Sequence, residues 1–400
     1  MVVSGITKKC ELADTSRGLR GLKNILVWLT PAYPARLNGI AKYAKTHGWY
    51  LTIQDKIVHG LSGWAGDGAL VTMRNDPVMI DFVKNLRRRG VPVVDLTCNQ
   101  PRMRIPRVIG DHAAIGEMAA EYFAEKNFKH SAWYSSDWMY IHKLRYDGFA
   151  SHWDGGCPRR WVASEALPEG RLDNVRILSH WLKTMLKEAP KPLAVLAYDD
   201  SDAAQVLHVC LAEGISVPEE VAIIGIGNDE VVCEIQPVPI TSVRHEGERT
   251  GFEGAALLDR LIDGQKAPVK SLMIKPTGIV ERLSTDTVAV QSPFLREALR
   301  DIKMNLAKPM GIEQISARIG CPVRTLSELF AKELGHSCGK EINRQRIAKA
   351  KILLRDLNLN ICEVSRECGF CDQAYFTNVF SRLTGQTPKR FRMVLCGNAE

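Results

Sequence analysis

The sequence predicts two structural classes in one chain: a two-lobed α/β domain, and after it an all-α domain in which one helical unit occurs twice. Short apolar runs alternate with helical patterns from about residue 23 to residue 284. This alternation is typical of parallel, doubly wound sheets that are covered on both faces. Beyond a short polar stretch the pattern is helical throughout, and two of its segments match each other. The length of 400 residues also exceeds what one hydrophobic core holds.

Composition places the chain among ordinary globular proteins, because 45% of its residues are hydrophobic and 24% are charged. It has no run of about 18 apolar residues, and its first residues lack the apolar core of a secretory signal. We therefore expect a cytoplasmic protein without a membrane partner. Its 11 cysteines are scattered along the chain, so reduced thiols are the expectation.

The positive charge is concentrated at the C-terminal end. Residues 293–400 hold 18 of the 53 Lys and Arg and 11 of the 45 Asp and Glu, which gives +7 of the total net charge of +8. A basic terminal domain on a nearly neutral body favours a polyanionic partner, most often nucleic acid. A basic surface that is only solvated is the alternative, and charge alone does not decide between the two.

Six apolar runs predict the strands of the α/β domain, and a helical pattern follows each one. They cover residues 24–29, 68–73, 91–96, 131–135, 192–198 and 220–226. Some 260 residues of this pattern are enough for two lobes with a cleft between them.

Ligands of open α/β sheets bind beyond the carboxyl ends of the strands, so the polar residues there are the candidates. These are Tyr33, Asp111, His112, Asp137, Trp138, Arg145, Asp199, Asp200, Asn228 and Asp229. Carboxylates, amides, a guanidinium and an aromatic face suit a neutral polyol. The alternative is structural, since Asp111 and Asp200 would also cap helices and Trp138 would also pack in a core.

Motifs of enzymes are weak in this sequence. The segment "GIGNDE" lacks the third Gly of a dinucleotide fingerprint, and "DDSD" at residues 199–202 reads better as a strand end with a capped helix than as a metal site. We therefore expect no catalytic residues, no cofactor and no metal.

Residues 109–135, 145–149, 197–262 and 280–285 resemble the effector domain of the lactose/galactose repressor family, which is similar to periplasmic sugar-binding proteins. The resemblance implies two lobes joined by three crossover strands around a small ligand, with Asp111, Arg145 and Asp199 in the pocket. One position departs: Gly227 stands where the family usually has Asp, and Asn228 and Asp229 follow it. Either Asn228 or Asp229 takes the place of that Asp, or the ligand differs from the family's commoner sugars. The expected ligand residues are Tyr33, Asp111, Trp138, Arg145, Asp199, Asn228 and Asp229.

The two matching segments of the C-terminal region are residues 312–335 and 361–385. Ile312 matches Ile361 and Gly320 matches Gly369 at a separation of 49; after one added residue, Phe330 matches Phe380 at 50. Each segment reads as helix, Gly turn and helix, which predicts two helix-turn-helix motifs.

The second helix of each motif would read DNA with the face opposite its apolar stripe. This face comprises Val323, Arg324, Ser327 and Glu328 in the first motif, and Gln373, Ala374, Thr377 and Asn378 in the second. Arg suits guanine, Gln and Asn suit adenine, Glu accepts from cytosine, and Thr suits phosphate or a thymine methyl. Between the motifs, residues 341–356 predict a helix that buries Ile342 and Ile347 and keeps Arg344 and Arg346 outside.

The pair Cys368 and Cys371 has the spacing of a redox dithiol or of half a zinc site. Its place in the second motif favours a structural role instead, with Cys368 on the inner side of a helix and Cys371 as the added residue before the capping Asp372.

Residues 316–320, 325–335, 346–354, 361–370 and 372–392 closely resemble the DNA-binding domain of the AraC/XylS family, although Pro322 departs from its usual Ser. The two resemblances together are the arrangement of xylose-responsive regulators of bacterial sugar operons. The expected division is an N-terminal extension (1–22), a periplasmic-binding-protein-like effector domain (23–284), a linker (285–293) and a DNA-binding domain (294–400).

The expected function is therefore a DNA-binding transcription regulator controlled by a small sugar, xylose or a related monosaccharide. Its expected partners are double-stranded DNA at two adjacent major-groove segments, the sugar, and a second copy of the chain; RNA polymerase is a further candidate. The alternatives are a sugar-binding or sugar-converting protein with an incidental basic tail, or a DNA-binding protein without ligand control.

Overall fold

The structure, a computed structural model, describes residues 21–30, 34–54, 63–168, 174–287, 289–290, 292–354, 356 and 358–395. Its strands are β1 (Lys23–Trp28), β2 (Trp49–Gln54), β3 (Gly68–Val71), β4 (Val93–Asp95), β5 (Val108–Gly110), β6 (His130–Ser135), β7 (Arg159–Val162), β8 (Leu193–Ala197), β9 (Val221–Ile226), β10 (Thr241–Arg244), β11 (Leu272–Ile274) and β12 (Gly278–Val280).

The helices of the α/β part are α1 (Pro34–Thr46), α2 (Pro77–Arg88), α3 (His112–Glu125), α4 (Tyr140–Ser151), α5 (Ala163–Ala166), α6 (Val175–Glu188), α7 (Asp200–Ala212), α8 (Glu230–Glu234) and α9 (Gly247–Ile262). Those of the C-terminal part are α10 (Pro293–Met304), α11 (Ile312–Ile319), α12 (Val323–Leu329), α13 (Cys338–Leu353), α14 (Ile361–Glu367), α15 (Gln373–Thr384) and α16 (Pro388–Leu395). None of the helices in the described ranges is long and apolar enough to cross a membrane.

The α/β part has two lobes, each built on a sheet. The first lobe has the parallel order β2-β1-β3-β4, which the Asp95–Arg107 bridge extends to β5 and its partner β11. The second lobe has the order β12-β10-β9-β8-β6-β7, parallel except for β12. The central strands are buried on both faces, as their continuous apolar runs predict.

The chain crosses between the lobes three times: from β5 to α3, from β10 to α9, and from β11 to β12. The first two crossings leave the carboxyl ends of β5 and β10, so the carboxyl ends of the parallel strands in both sheets face the same space between the lobes. We call this space the cleft. The crossings are bonded to one another, since the amide of Asp111 donates to the Ile274 carbonyl (2.8 Å) and that of Thr277 to the Arg244 carbonyl (3.1 Å).

The C-terminal domain is all-α and has two apolar cores. One core joins α10, α11 and α12 around Leu326 and Phe330, and the other joins α13, α14 and α15 around Phe376 and Phe380. Residues 330–334 form a π-helical turn that continues α12. The predicted change from α/β to all-α is confirmed.

The segment between the domains is packed against both of them. Ala289 belongs to a core of the second lobe, and its neighbour Val290 belongs to the first core of the C-terminal domain. The amide of Ala289 donates to the Lys126 carbonyl (2.9 Å), and the amide of Ser292 donates to the Glu333 carboxylate (3.2 Å). The two domains are therefore joined by buried side chains as well as by the backbone.

Candidate ligand cleft and DNA-reading face

The Arg145 guanidinium, on α4, is a buried cation at the cleft, with only 4% of the residue exposed. Its Nη1 donates to the Tyr198 carbonyl (2.6 Å), its Nε donates to His112 Nδ1 (3.4 Å), and the group lies over the Tyr198 ring at 4.7 Å. Within the described part of the chain no carboxylate forms an ion pair with it. In the bonds given by its Nη1 and Nε, the charge is thus held by neutral groups.

Three imidazoles surround this cation and are held neutral. Burial and the charge of Arg145 lower the pKa of His112 well below its usual value, and they lower the pKa of His142 to about 3. The pKa of His245, at the second crossing, falls to about 3 for the same reasons, with a further contribution from Arg36 on α1. Neutral imidazole both donates and accepts hydrogen bonds, so these rings suit hydroxyl groups.

Three of the five carboxylates at the strand ends cap helices; Asp137 does not, since it is exposed and its Oδ1 accepts from the adjacent Trp138 amide (2.7 Å). Asp111 accepts from the Ala114 amide at the start of α3 (3.2 Å), and Asp199 accepts from the Asp202 amide at the start of α7 (2.8 Å). Asp229 caps α8 in the same way and is exposed. Each of these capping bonds uses the Oδ1 atom of the carboxylate. Capping at Asp111 and Asp199 is therefore compatible with a ligand bond to the other oxygen.

Asp200 is a structural residue that ties three strand ends together. It is buried and accepts from the Ser242 hydroxyl (2.5 Å) and from the Asp229 amide (2.7 Å). Burial raises the pKa of this carboxyl. The alternative that Asp200 caps a helix is wrong, since the cap of α7 is Asp199; Asp200 instead fixes the loop that follows β9.

The conformation of that loop explains why Gly, and not Asp, stands at position 227. Its φ is +136°, and a Cβ atom there would lie 3.0 Å from the Asp200 carboxylate, so an Asp would be both strained and repelled. Asn228 follows in the left-handed region at φ +56°. Its amide donates to the Ser242 hydroxyl (2.9 Å), while its Oδ1 is buried and has no hydrogen-bond partner among the described residues. A ligand hydroxyl would satisfy this acceptor.

Trp138 is half-buried beside the same group of side chains. Its ring stacks on His142 at 6.2 Å, and the Arg160 guanidinium lies over it at 4.6 Å. Tyr33 lies outside the described residues. The sequence did not single out His142, His245, Tyr198 or Arg36. Tyr198 ends an apolar strand run, and His142 stands one helical turn before Arg145. The position of each residue in the sequence could therefore have marked it as a candidate for the cleft.

The two lobes touch at one side of the cleft. Asn99, after β4 in the first lobe, accepts from the Ile141 amide at the start of α4 (3.1 Å). Cys98 and Ile109 of the first lobe pack with Ile141 in a small apolar cluster. This contact fixes the separation of the lobes in the structure.

The residues predicted to read DNA, here called the DNA-reading face, lie on the solvent side of α12 and α15. Val323, Arg324, Ser327 and Glu328 are exposed on α12; Gln373, Ala374 and Asn378 are exposed on α15, where Thr377 is half-buried. Opposite them, Leu326 and Phe376 are fully buried. Arg324 and Glu328 form an ion pair with each other at 3.0 Å. Because this pair is exposed and therefore weak, either side chain could break it in order to contact a base.

The turns before these helices have the predicted geometry. Gly320 and Gly369 are left-handed at φ +68° and +83°. Asp372 accepts from the Tyr375 amide (2.7 Å) and so caps α15. Pro322 stands at the corresponding position before α12 and offers no side-chain bond, so the first reading helix does begin differently.

One prediction about the spacer helix α13 is wrong: Arg346 lies inside, with 9% of the residue exposed. Its guanidinium donates to the carbonyls of Leu306 (3.1 Å) and Lys308 (3.0 Å) and lies 5.5 Å from the Phe370 ring. It therefore connects the segment before the first motif to the turn of the second, and holds the two motifs together.

Cys368 is fully buried and Cys371 is exposed, and both are free thiols. Burial raises the pKa of Cys368 to about 11, which keeps it protonated and unreactive near neutral pH. In the described ranges no group of three or more His, Cys, Asp or Glu side chains is arranged to hold a metal ion.

Comparison with known proteins gives two family matches. A periplasmic binding protein-like domain matches residues 120–285, and a helix-turn-helix domain matches residues 315–393. The xylose operon regulatory protein of Escherichia coli (strain K12) is 30% identical over 230 residues, which are 58% of this chain and 58% of that protein. The chain thus aligns with less than two thirds of that relative.

Two further similarities extend over most of the chain. The xylose operon regulatory protein of Haemophilus influenzae is 24% identical over 378 residues, 89% of this chain and 94% of that protein. The solved structure of the xylose-binding transcription activator xylR matches with a TM-score of 0.66 at 25% identity, over 94% of this chain and 99% of that one. The chain therefore combines a periplasmic binding protein-like α/β domain with a helix-turn-helix domain, as the sequence predicts.

Proposed function

We propose that this chain, with its cleft domain and its doubled helix-turn-helix domain, is a DNA-binding transcription regulator controlled by a small sugar. The sugar, xylose or a related monosaccharide, would bind in the cleft beside Arg145, Asp111 and Asp199. Regulation is the proposed activity, and catalysis is not. The proposed place of action is the cytoplasm, with a homodimer as the working form and RNA polymerase as a further partner.

One observation supports this proposal: the helix-turn-helix domain, whose two candidate reading helices have exposed faces, is packed directly on the second lobe of the α/β domain. Helix α7 begins at the Asp199 cap in the cleft and ends near Ser216, whose hydroxyl accepts from Arg300 on α10. The xylose-binding activator has the same overall arrangement over 94% of this chain. A ligand at one end of α7 thus lies one helix length from the DNA-reading domain.

The experiment is a DNA-binding titration with the full-length protein, using fluorescent DNA from upstream of its own operon and a scrambled duplex of equal length. We expect tighter binding to the first duplex, affinity that falls with salt in proportion to the phosphates contacted, and a shift of about 5–150-fold on adding the effector. Equal affinity for both duplexes at every salt concentration would refute the DNA-binding part of the proposal.

A further inference from the structure

The charge of the α/β part is unevenly distributed. Residues 74–107, which include α2, β4 and the loop before β5, hold eight Lys and Arg and three Asp, a net charge of +5. Because residues 1–292 together carry a net +1, the remainder of them carries −4. The positive charge of this part is therefore concentrated in one segment of the first lobe.

The three carboxylates of this segment already have partners. Asp95 is fully buried and pairs with Arg107 (3.1 Å), and Asp81 pairs with Lys84 (3.4 Å). Asp76 caps α2 by accepting from a backbone amide (2.8 Å). Beyond these pairs, the segment presents five exposed arginines that form no ion pair within the described ranges: Arg87, Arg88, Arg89, Arg102 and Arg104.

The five arginines lie on one side of the first lobe. Helix α2 and the loop before β5 cover the same face of the sheet, where Met103 and Ile105 join Met79 and Val83 in one apolar cluster. Helices α1 and α9 cover the opposite face. We call the surface formed by the five arginines the first-lobe basic face.

The loop that carries Arg102 and Arg104 is held in place by its own hydrogen bonds. Arg107 donates to the carbonyls of Gln100 (2.6 Å) and Met103 (2.7 Å), and the Gln100 side chain donates to the backbone just before α2 (3.3 Å). The two charges are thus presented by an ordered backbone. A partner would not have to order this loop in order to bind there.

We infer that the first-lobe basic face binds the phosphate backbone of DNA that lies outside the segments contacted by α12 and α15. This inference rests on the proposed function, in which the C-terminal domain holds the protein on DNA. Flanking duplex is then tethered to the same molecule, at an effective concentration above that of free DNA. Arg binds phosphate with a planar fork of N–H donors. The 12 residues of α2 span about 18 Å, a length of about five phosphates along one strand of a duplex.

The composition of the face favours a nucleic acid over an acidic membrane. Membrane-binding surfaces place large apolar side chains beside their cations, because the apolar groups enter the lipid. In the structure, none of the large apolar side chains of residues 74–107 is exposed. A surface of arginines without exposed apolar groups suits a hydrated row of phosphates.

Duplex length and salt concentration test the inference on the full-length protein. Two fluorescent duplexes from upstream of its own operon are compared: the shortest one that the protein prefers over a scrambled duplex of equal length, and the same duplex extended by about 20 base pairs, two helical turns, at each end. We expect the longer duplex to bind more tightly and with a steeper dependence on salt. Each arginine that contacts a phosphate adds about 0.9 to the slope of log affinity against log salt concentration.

Two quadruple variants locate the effect. The test variant combines Arg87→Gln, Arg88→Gln, Arg102→Gln and Arg104→Gln. The control variant removes four cations from α1, from α9 and from the segment after α9: Lys45→Gln, Arg249→Gln, Arg260→Gln and Lys266→Gln. All eight side chains are exposed, so both variants should fold. Arg89 donates to the Trp64 carbonyl (2.8 Å) and is left unchanged.

The test variant should bind both duplexes alike, with a salt slope for the longer one that is lower by up to about 4. Its affinity for the short duplex should change by less than about twofold, since distant exposed charges are screened. The control variant should keep the difference between the two duplexes.

Equal affinity and equal salt slope of the unmodified protein for the two duplexes would overturn the inference, as would a length effect that the test variant retains. Binding to phosphatidylserine vesicles that only the test variant loses would assign the face to a membrane and overturn it as well. The proposed function fails in a different way: the protein would then bind operon and scrambled duplexes equally at every length.

Discussion

The Lys303 ammonium on α10 lies 3.3 Å from the Glu219 carboxylate, so this ion pair joins the C-terminal domain to the second lobe. Arg300, one turn earlier, donates to the Ser216 hydroxyl of the same loop. The loop follows α7, whose first turn is capped by Asp199 at the cleft. These contacts give the proposed ligand and DNA sites a short physical connection.

The double variant Arg300→Gln and Lys303→Gln should uncouple the two sites. Partly exposed pairs of this kind contribute about 0–1 kcal/mol each, so the protein should remain folded and bind both partners. The factor by which the effector changes DNA affinity, measured by fluorescence anisotropy, should fall towards one. Lys308→Gln, at an exposed Lys of the same domain, is the control; an unchanged effector response in the double variant would contradict the connection.

The glycines of the two motifs should respond differently to alanine. A Cβ at Gly369 would lie 2.1 Å from the Leu306 carbonyl oxygen, whereas nothing lies within 4 Å of a Cβ at Gly320. Both have positive φ, so Gly320→Ala should cost about 1 kcal/mol of unfolding free energy, and Gly369→Ala about 3 kcal/mol or more because backbone must move. Urea unfolding monitored by circular dichroism measures both, and equal losses would show that the close approach is absent.

Stability should fall in acid because of the cleft histidines. The folded pKa of His142 is about 3, below its unfolded value of about 6.5. Between these values the unfolded chain binds the extra proton, so the contribution is complete above pH 6.5 and is lost as the pH falls towards 3. By pH 5 the loss from this one group should reach about 2 kcal/mol.

His142→Gln isolates this contribution, since Gln accepts the Met139 amide bond that His142 Nδ1 accepts in the protein. Burial raises the pKa of Asp202 to about 7, so protonation of this carboxyl favours the folded state as the pH falls. Asp202 is present in both proteins, and its contribution therefore cancels in the comparison. We therefore expect the difference in unfolding free energy between the two proteins to shrink by about 2 kcal/mol from pH 8 to pH 5. A difference that does not vary with pH would mean that His142 is not held neutral.

Substitutions at the residues predicted to contact bases should change the preference for one DNA sequence over another more than they change the overall DNA affinity. Loss of a bidentate base contact costs about 1–3 kcal/mol of discrimination, so Gln373→Ala should reduce the ratio of operon to scrambled affinity by about 5–150-fold. Gln265→Ala, an exposed Gln on the first lobe, is the matched control. Equal ratios for both variants and the unmodified protein would remove Gln373 from the DNA-reading face.

Much of the fold could be predicted because its main signals are local. Each of the six apolar runs overlaps a strand, namely β1, β3, β4, β6, β8 or β9, and the repeat identifies both motifs with their turns. The strands that flank the crossings could not be read this way. β10 is "TSVR" and β5 has three residues; partners distant in sequence, and not their own patterns, make them strands.

The cleft was only partly predictable for a related reason. Position at a strand end selects Asp111, Asp199 and Asn228, but burial decides what each side chain does, and burial is a tertiary property. Arg346 shows the limit most clearly. Its charge predicts exposure, yet two carbonyls some 40 residues away satisfy its guanidinium inside the domain.

The adjacent residues Ala289 and Val290, each in the core of a different domain, determine which part of the molecule can move. Because both are buried, the connection between the second lobe and the C-terminal domain is short and packed. We therefore expect the second lobe and the C-terminal domain to move as one rigid body. Closure of the cleft would then swing the first lobe alone, pivoting on the three crossings. In a homodimer that associates through its first lobes, the sugar would alter the angle between two DNA-bound protomers. The contacts of each protomer with its own DNA site would stay unchanged.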